Sequence, residues 1–255
     1  MEAENHEAVV VSLRRYPVKS MGGEALQSVM FDDRGLAGDR GFAVRDGEDR
    51  LASGKNTKRL VRRDGIFEYT ARSVSGGHQS ADHVVVSRGG TEWRAGDPEL
   101  DAHLTDALSA EVRVASESDL AHFDAGSVSL VGTATLDWCA RELGVDADPR
   151  RLRVNIVVQT VEPFEEESWV GDVTVGDVVL RPATRIKRCR VIDLPQDGLD
   201  DSTRWLKPLG DQRDAQVAIY LDVTTPGLLR VGDIVRVGDM VRVGDQVHPP
   251  ATSAP

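Results

Sequence analysis

One thiol stands among four cations in the stretch T-R-I-K-R-C-R-V-I-D-L-P-Q-D, residues 184–197: Cys189, with Arg185, Lys187, Arg188 and Arg190 around it. Positive charge beside a thiol favours the ionised sulfur, the form that attacks electrophiles or binds a soft metal. The chain as a whole carries a net charge of -11, so a local excess of cations runs against its average. Cys189 is therefore the candidate reactive atom. The plainer reading is a small hydrophobe on a strand whose charged neighbours face water.

Other residues suit the same chemistry. Lys19 and Ser20 follow Pro17, which bars a central-strand place, and precede Gly22 and Gly23; a lysine and a hydroxyl on such a loop can cradle an anion. Asp39 and Arg40 stand at the entrance of a strand over 41–44. A polar, basic patch follows with Ser53, Lys55, Asn56, Thr57, Lys58 and Arg59. Residues 150–158, R-R-L-R-V-N-I-V-V, read as a strand with Arg151, Arg153 and Asn155 on one face, a phosphate clamp because guanidinium pairs bidentately with phosphate. Asp124 and Asp193 are the carboxylates considered for proton handling. The other cysteine, Cys139, shares the apolar face of a helix with Leu136, Ala140 and Leu143 and reads as core.

The elements that must position these groups are mostly short strands. Apolar alternation over 8–13, 25–31, 41–44, 67–71 and 83–86, broken by glycines, predicts a small barrel or sandwich in the first hundred residues. Asp97-Pro98 starts a helix, Thr133 or Thr135 caps a second that Gly144 ends, and 200–209 holds a third carrying Trp205. The acidic, proline-bearing Asp146 to Pro149 is the expected junction between two halves. Strands follow at 172–180 and 217–223. R-V-G-D recurs at 230, 236 and 242, the first copy as a closing strand and the others as extension hairpins, before a disordered tail at 248–255.

Composition narrows the field. With 40% hydrophobic and 29% charged residues the chain is of soluble globular type. No apolar run reaches the roughly 20 residues that span a bilayer, and the acidic start M-E-A-E-N-H-E is unlike a secretory leader, so a cytoplasmic protein without a membrane partner is expected. A pI near 5.0 argues against nucleic acid. Two distant cysteines make no zinc or iron-sulfur set.

Taken together, Y-P-V-K-S at 16–20, G-L-A-G-D-R-G-F at 35–42, R-L-R-V-N-I-V-V at 151–158, F-E-E-E-S-W at 164–169, V-G-D-V-V-L at 175–180, K-R-C-R at 187–190 and L-R-V-G-D-I-V at 229–235 resemble the molybdenum cofactor sulfurase C-terminal (MOSC) proteins. They are most similar to the branch with an N-terminal β-barrel domain that includes the mitochondrial amidoxime-reducing component. The resemblance implies a β-rich α+β fold: a flexible start at 1–8, a barrel-like domain at 9–115 packed on a MOSC barrel domain at 116–247, and a few peripheral helices. It implies a molybdenum cofactor, the metal on molybdopterin, with Cys189 as its protein ligand. Lys19, Ser20, Arg40, Arg153 and Asn155 correspond to cofactor-holding residues, and Lys187 and Arg188 beside the cysteine join them. At family level the resemblance also carries an association with pyridoxal phosphate. The implied activity is reduction of N-hydroxylated or N-oxide-type small molecules by a monomer drawing electrons from a separate ferredoxin, flavodoxin or reductase. Two departures bear on the substrate: an Asp-Thr-Ser stretch of the amidoxime reducers falls at Asp124-Ala125-Gly126, and a small hydroxyl residue two places before the cysteine is Lys187. A sulfur carrier or carbon-sulfur bond handling protein using Cys189 without molybdenum, and a module that stores or delivers the cofactor, remain as alternatives.

Overall fold

The computed structural model describes residues 8–74 and 83–238. The strands in the first half are β1 (Ala8–Arg15), β2 (Glu24–Leu26), β3 (Ser28–Asp32), β4 (Gly35–Leu36), β5 (Phe42–Asp46), β6 (Leu51–Ser53), β7 (Leu60–Arg62), β8 (Thr70–Val74), β9 (His83–Arg88) and β10 (Thr91–Arg94), followed by helix α1 (Pro98–Leu108) and β11 (Val112–Ser116). Then come β12 (Val128–Gly132), α2 (Thr133–Leu143), α3 (Pro149–Leu152), β13 (Ile156–Val158), β14 (Val173–Val175), β15 (Val178–Lys187), α4 (Leu206–Arg213), β16 (Gln216–Thr225), β17 (Gly227–Arg230) and β18 (Ile234–Val237).

Seven strands, in the order β13-β12-β16-β15-β14-β18-β1, close into a barrel through the pairing of β1 with β13. Its inside is aliphatic, with Val10, Leu13, Leu130, Ile156, Val173, Leu180, Ile219 and Leu221 in one buried cluster. Strands β12 (V-S-L-V-G) and β13 (I-V-V) read as unbroken apolar runs because both of their faces are covered. Val131 and Val157 point outward and pack with Leu136 and Cys139 of α2, Leu209 of α4 and the fully buried Trp205.

The second unit joins a four-stranded sheet, β11-β5-β6-β7, and a three-stranded sheet, β10-β9-β8, around Val44, Phe67, Tyr69, Val86 and the Leu100 and Leu104 face of α1. The chain's opening strands serve the other unit: β1 closes the barrel, β2 pairs with β1, and β3 and β4 form a sheet with β17. The connection after β1 therefore passes from one unit to the other at Tyr16 to Gly22, where Val18 bridges Phe42 and Gly22 bridges Thr70.

Four sequence expectations need correction. The strand predicted over 150–158 begins only at Ile156; residues 149–152 form the helical turn α3 because Pro149 suits its first position and the Asp148 carboxylate accepts the Arg150 N–H. The helix predicted over 200–209 starts at Leu206, after Trp205, because Asp193 Oδ1 accepts the N–H groups of both residues and caps it there. Asp146 to Pro149 does not join two halves, since β12 before it and β13 after it pair in the same barrel; Asp146 accepts there from the Trp205 indole and from Arg151. The start at 1–7, the second R-V-G-D copy beyond Gly238, the third copy and the tail at 248–255 lie outside the described residues, while Arg236 and Val237 of the second copy belong to β18, the closing strand, and not to an extension hairpin. No helix among the described residues is long and apolar enough to cross a membrane.

Candidate functional site

A cavity of about 370 Å³ opens between the two units. Lys19, Ser20 and Arg40 reach it from the crossing segment after β1 and the turn before β5. Arg153 and Asn155 enter between α3 and β13, and Lys187, Arg188 and Cys189 from the end of β15. All eight of the predicted site residues thus line one hollow, although the sequence separates Lys19 from Cys189 by most of its length.

The crossing segment is fastened before it reaches the cavity. The Tyr16 N–H donates to Asp39 Oδ1 at 2.7 Å, the Arg40 N–H to Tyr16 O at 2.7 Å, and the Lys19 N–H to Phe42 O at 2.8 Å. Ser20, Arg40 and Arg153 all adopt left-handed backbone, with φ of 68°, 50° and 52°. A non-glycine residue there costs roughly 1–2 kcal/mol, and such strain gathers at functional sites. It is the local bonds that hold it.

The cations are braced, Lys19 buried and Arg40 and Arg153 half-buried. Lys19 is 5% exposed and its Nζ donates to His122 O at 2.7 Å and to Asp124 Oδ1 at 2.6 Å. Burial pulls the Lys19 pKa down, with Asp124 opposing. Burial would raise the Asp124 pKa, but Lys19 and Lys55 outweigh it and hold that carboxyl below the usual range. Arg40 donates to Asp39 and to Arg153 O, and the Asp39 charge overcomes burial to raise its pKa. Arg153 donates to Met21 O at 2.7 Å, and burial lowers its pKa. Both guanidinium groups stack on the sealed ring of Tyr16, at 5.0 Å and 4.4 Å from its centroid. Burial pushes the Tyr16 hydroxyl up to about 12, and that hydroxyl has no hydrogen-bond partner.

Other predicted residues have their polar atoms engaged elsewhere. Asn155 accepts from Ser129 N and Oγ at 3.1 and 2.9 Å and donates to Arg14 O, tying β12, β13 and β1 together behind the cavity wall. Arg188 donates to Leu152 O and Val217 O, and burial lowers its pKa to about 10. Ser20 Oγ donates to Ala52 O at 3.0 Å.

Cys189 is partly exposed and stands in extended backbone before the turn at 190–193. The four cations around it in sequence do not surround it as free charges. Arg185 pairs with Glu167, Arg190 pairs with Asp64 and donates to Gly54 O, and Arg188 points at carbonyls. Lys187 alone of the four has no acceptor among the described residues. Cys139 is sealed in the core, and burial lifts its thiol to about 12. Asp193 caps α4, and Asp124 is held ionised, so neither is placed to donate a proton. Among the described residues no group of three or more His, Cys, Asp or Glu gathers to hold a metal, so a metal resting on Cys189 must bring other ligands with it.

Sequence reasoning passed over Tyr16, the stacking post for two arginines, and His122, whose carbonyl receives Lys19. It also passed over Tyr220, whose side chain packs against Gly126 at the cavity wall. Tyr16 carried a signal, since it lies in the same short string as Lys19; the other two had none.

Comparison with known proteins agrees with this layout. The MOSC domain family model matches residues 117–248, and the MOSC N-terminal beta barrel domain model matches residues 7–144. Mitochondrial amidoxime reducing component 2 from Rattus norvegicus is 27% identical over 152 residues, 54% of this chain; the match spans less than half, 45%, of that relative. The YUAD protein of Bacillus subtilis superposes with a TM-score of 0.50 at 14% identity, covering 89% of this chain and 94% of that one, a likeness of fold. With both family models matched in order and a closed barrel beside a second β unit, the chain belongs to the MOSC domain family, with the MOSC N-terminal beta barrel domain ahead of the MOSC domain.

Proposed function

We propose that the cavity binds a molybdenum cofactor, a metal carried on a phosphate-bearing pterin dithiolene, and that the chain reduces N-hydroxylated and N-oxide-type small molecules with it. One observation carries the reading: Cys189, from the end of β15, lines the same hollow as Lys19, Arg40 and Arg153.

The residues fit the group. A buried ammonium and half-buried guanidinium groups fixed by carbonyls and carboxylates suit an anionic phosphate, and a partly exposed sulfur suits a soft metal. The lack of a second protein ligand, among the described residues, suits a metal whose dithiolene supplies the rest. A volume of about 370 Å³ lies within the range of small-molecule sites. When bound, the cofactor supplies two-electron removal of oxygen from the substrate, released as water after uptake of two protons.

The chain's own part is positioning. Cys189 Sγ serves as the metal ligand, Lys19, Arg40 and Arg153 hold the phosphate and pterin, and Asn155 and Arg188 stiffen the wall through backbone contacts. The one carboxylate lining the cavity, among the described residues, is Asp124, and because it stays ionised the protons come from water. Electrons come from a separate redox protein, since the chain's two cysteines make no iron-sulfur set. The substrate class rests on the name of the rat relative, of which the match spans 45%.

The test is elemental and pterin analysis of the full chain produced in a host that makes the cofactor. Near-stoichiometric molybdenum, lost in Cys189→Ala, is expected, together with turnover of amidoximes under an artificial reductant. Protein without molybdenum that carries cyanide-labile sulfur on Cys189 would place the chain among the sulfur-handling proteins instead. Bound cofactor with no turnover would make it a carrier.

A further inference from the structure

Among the described residues, eight cations line the cavity against a single carboxylate, Asp124. Seven of the eight have protein acceptors. Lys19 and Lys55 face Asp124, Arg40 faces Asp39, Arg151 faces Asp146, Arg185 faces Glu167, and Arg153 and Arg188 donate to backbone carbonyls. The ammonium of Lys187 has neither a hydrogen bond nor an ion pair to any described residue, and its side chain is exposed.

Its position is nevertheless well fixed. Lys187 is the last residue of β15, in register with Gln216 of β16, and it lies two residues before Cys189. Two residues of chain hold the Lys187 and Cys189 Cα atoms within about 7 Å of each other, roughly the width of a small aromatic ring with its substituents. Depth divides the cations by task. The braced Lys19, Arg40 and Arg153, buried or half-buried, suit the doubly charged phosphate, while the exposed Lys187 offers one unmatched positive charge at the open side. A chain of net charge -11 repels anions at long range, so an anionic substrate needs such a local cation.

We propose that Lys187 is a specificity-determining residue that holds a carboxylate on the substrate, so that carboxylate-bearing N-hydroxylated compounds are preferred over neutral ones. The assignment of substrate class rests on the function proposed above.

The experiment uses the full chain from a cofactor-producing host, with Lys187→Gln and Lys187→Arg, and the pair benzamidoxime and 4-carboxybenzamidoxime. The carboxylate compound is expected to have the higher kcat/KM, and the ratio between the two compounds to fall about tenfold in Lys187→Gln and to be kept in Lys187→Arg, one charge-assisted hydrogen bond being worth that much. An unchanged ratio in Lys187→Gln overturns the proposal. So does loss of molybdenum and pterin from that variant, which would make Lys187 a cofactor ligand. Calorimetric binding of 4-carboxybenzamidoxime gives a readout without turnover: a Kd about tenfold weaker in Lys187→Gln supports the site, and an equal Kd overturns it. If no molybdenum is present while the Kd still depends on Lys187, the redox reading fails and the anion site stands.

Discussion

His122 makes the site's supporting loop sensitive to acid. The ring is fully buried, with Nδ1 at 2.9 Å from Arg40 O and Nε2 at 3.0 Å from the Arg45 guanidinium. An acceptor on one side and a donor on the other assign the proton to Nδ1 and leave Nε2 to accept. Burial, joined by Arg45 and Lys19, pulls the pKa from 6.5 to about 4, against the Arg40 carbonyl and Glu117. The unfolded chain therefore takes up this proton near 6.5 and the folded chain only near 4, so the unfolded state binds more protons in between. Stability from His122 is fully present above pH 6.5 and is lost as pH falls toward 4. At about 1.4 kcal/mol per pH unit the loss approaches about 3 kcal/mol. The carboxylates with lowered pKa values, Glu117 and Asp124 among them, lose their contribution at more acid pH. Urea unfolding of the wild type and of His122→Asn between pH 7 and 4.5 isolates the histidine, because groups common to both cancel. The asparagine keeps one donor and one acceptor. The wild type is expected to lose most of those 3 kcal/mol beyond what the variant loses. Parallel pH curves would show that His122 does not stay neutral in the fold and would refute the assignment.

Three further outcomes are expected. Iodoacetamide should modify Cys189 and spare Cys139 in the native chain, as intact mass and peptide mapping will show, because one sulfur is partly exposed and the other is sealed with its pKa near 12. Tyr16→Phe should leave stability within about 0.5 kcal/mol or raise it, measured by denaturant midpoint, since the hydroxyl it removes is buried without a partner. Gly126→Ser should lower Tm and distort the cavity wall, because a Cβ at Gly126 falls 2.5 Å from the Tyr220 ring and 2.8 Å from the Tyr220 Cβ; an unchanged Tm would show that the wall yields there at no cost.

How far the chain could be read in one dimension depended on whether a group's task is local. The alternating strands and the helix ended by Gly144 were legible because residue type and short spacing carry them, whereas the candidate site residues, far apart in the chain, came together only through the resemblance of several motifs at once. The crowd of cations around Cys189 was legible as charge but not as direction: whether Arg185 faces the sulfur or Glu167 is decided by a turn that ends before β14. Residues 150–153 misled because their apolar alternation fits a strand, whereas the Asp148 cap and Pro149 make a helical turn and leave Arg153 left-handed at its end.

The departure at Asp124-Ala125-Gly126 is the clearest case of a feature that spacing cannot explain. Read alone, Gly126 marks hydroxyls missing from a cofactor pocket. In the fold there is no space for them, since the Tyr220 ring from β16 lies where a Cβ would project, and Tyr220 lines the cavity as well. Gly126 on the approach to β12 and Tyr220 on β16 therefore shape one stretch of the wall together. On the function proposed above, the Tyr220 ring and the exposed Lys187 at the end of β15 shape the substrate side of the hollow, while the braced Lys19, Arg40 and Arg153 face the cofactor.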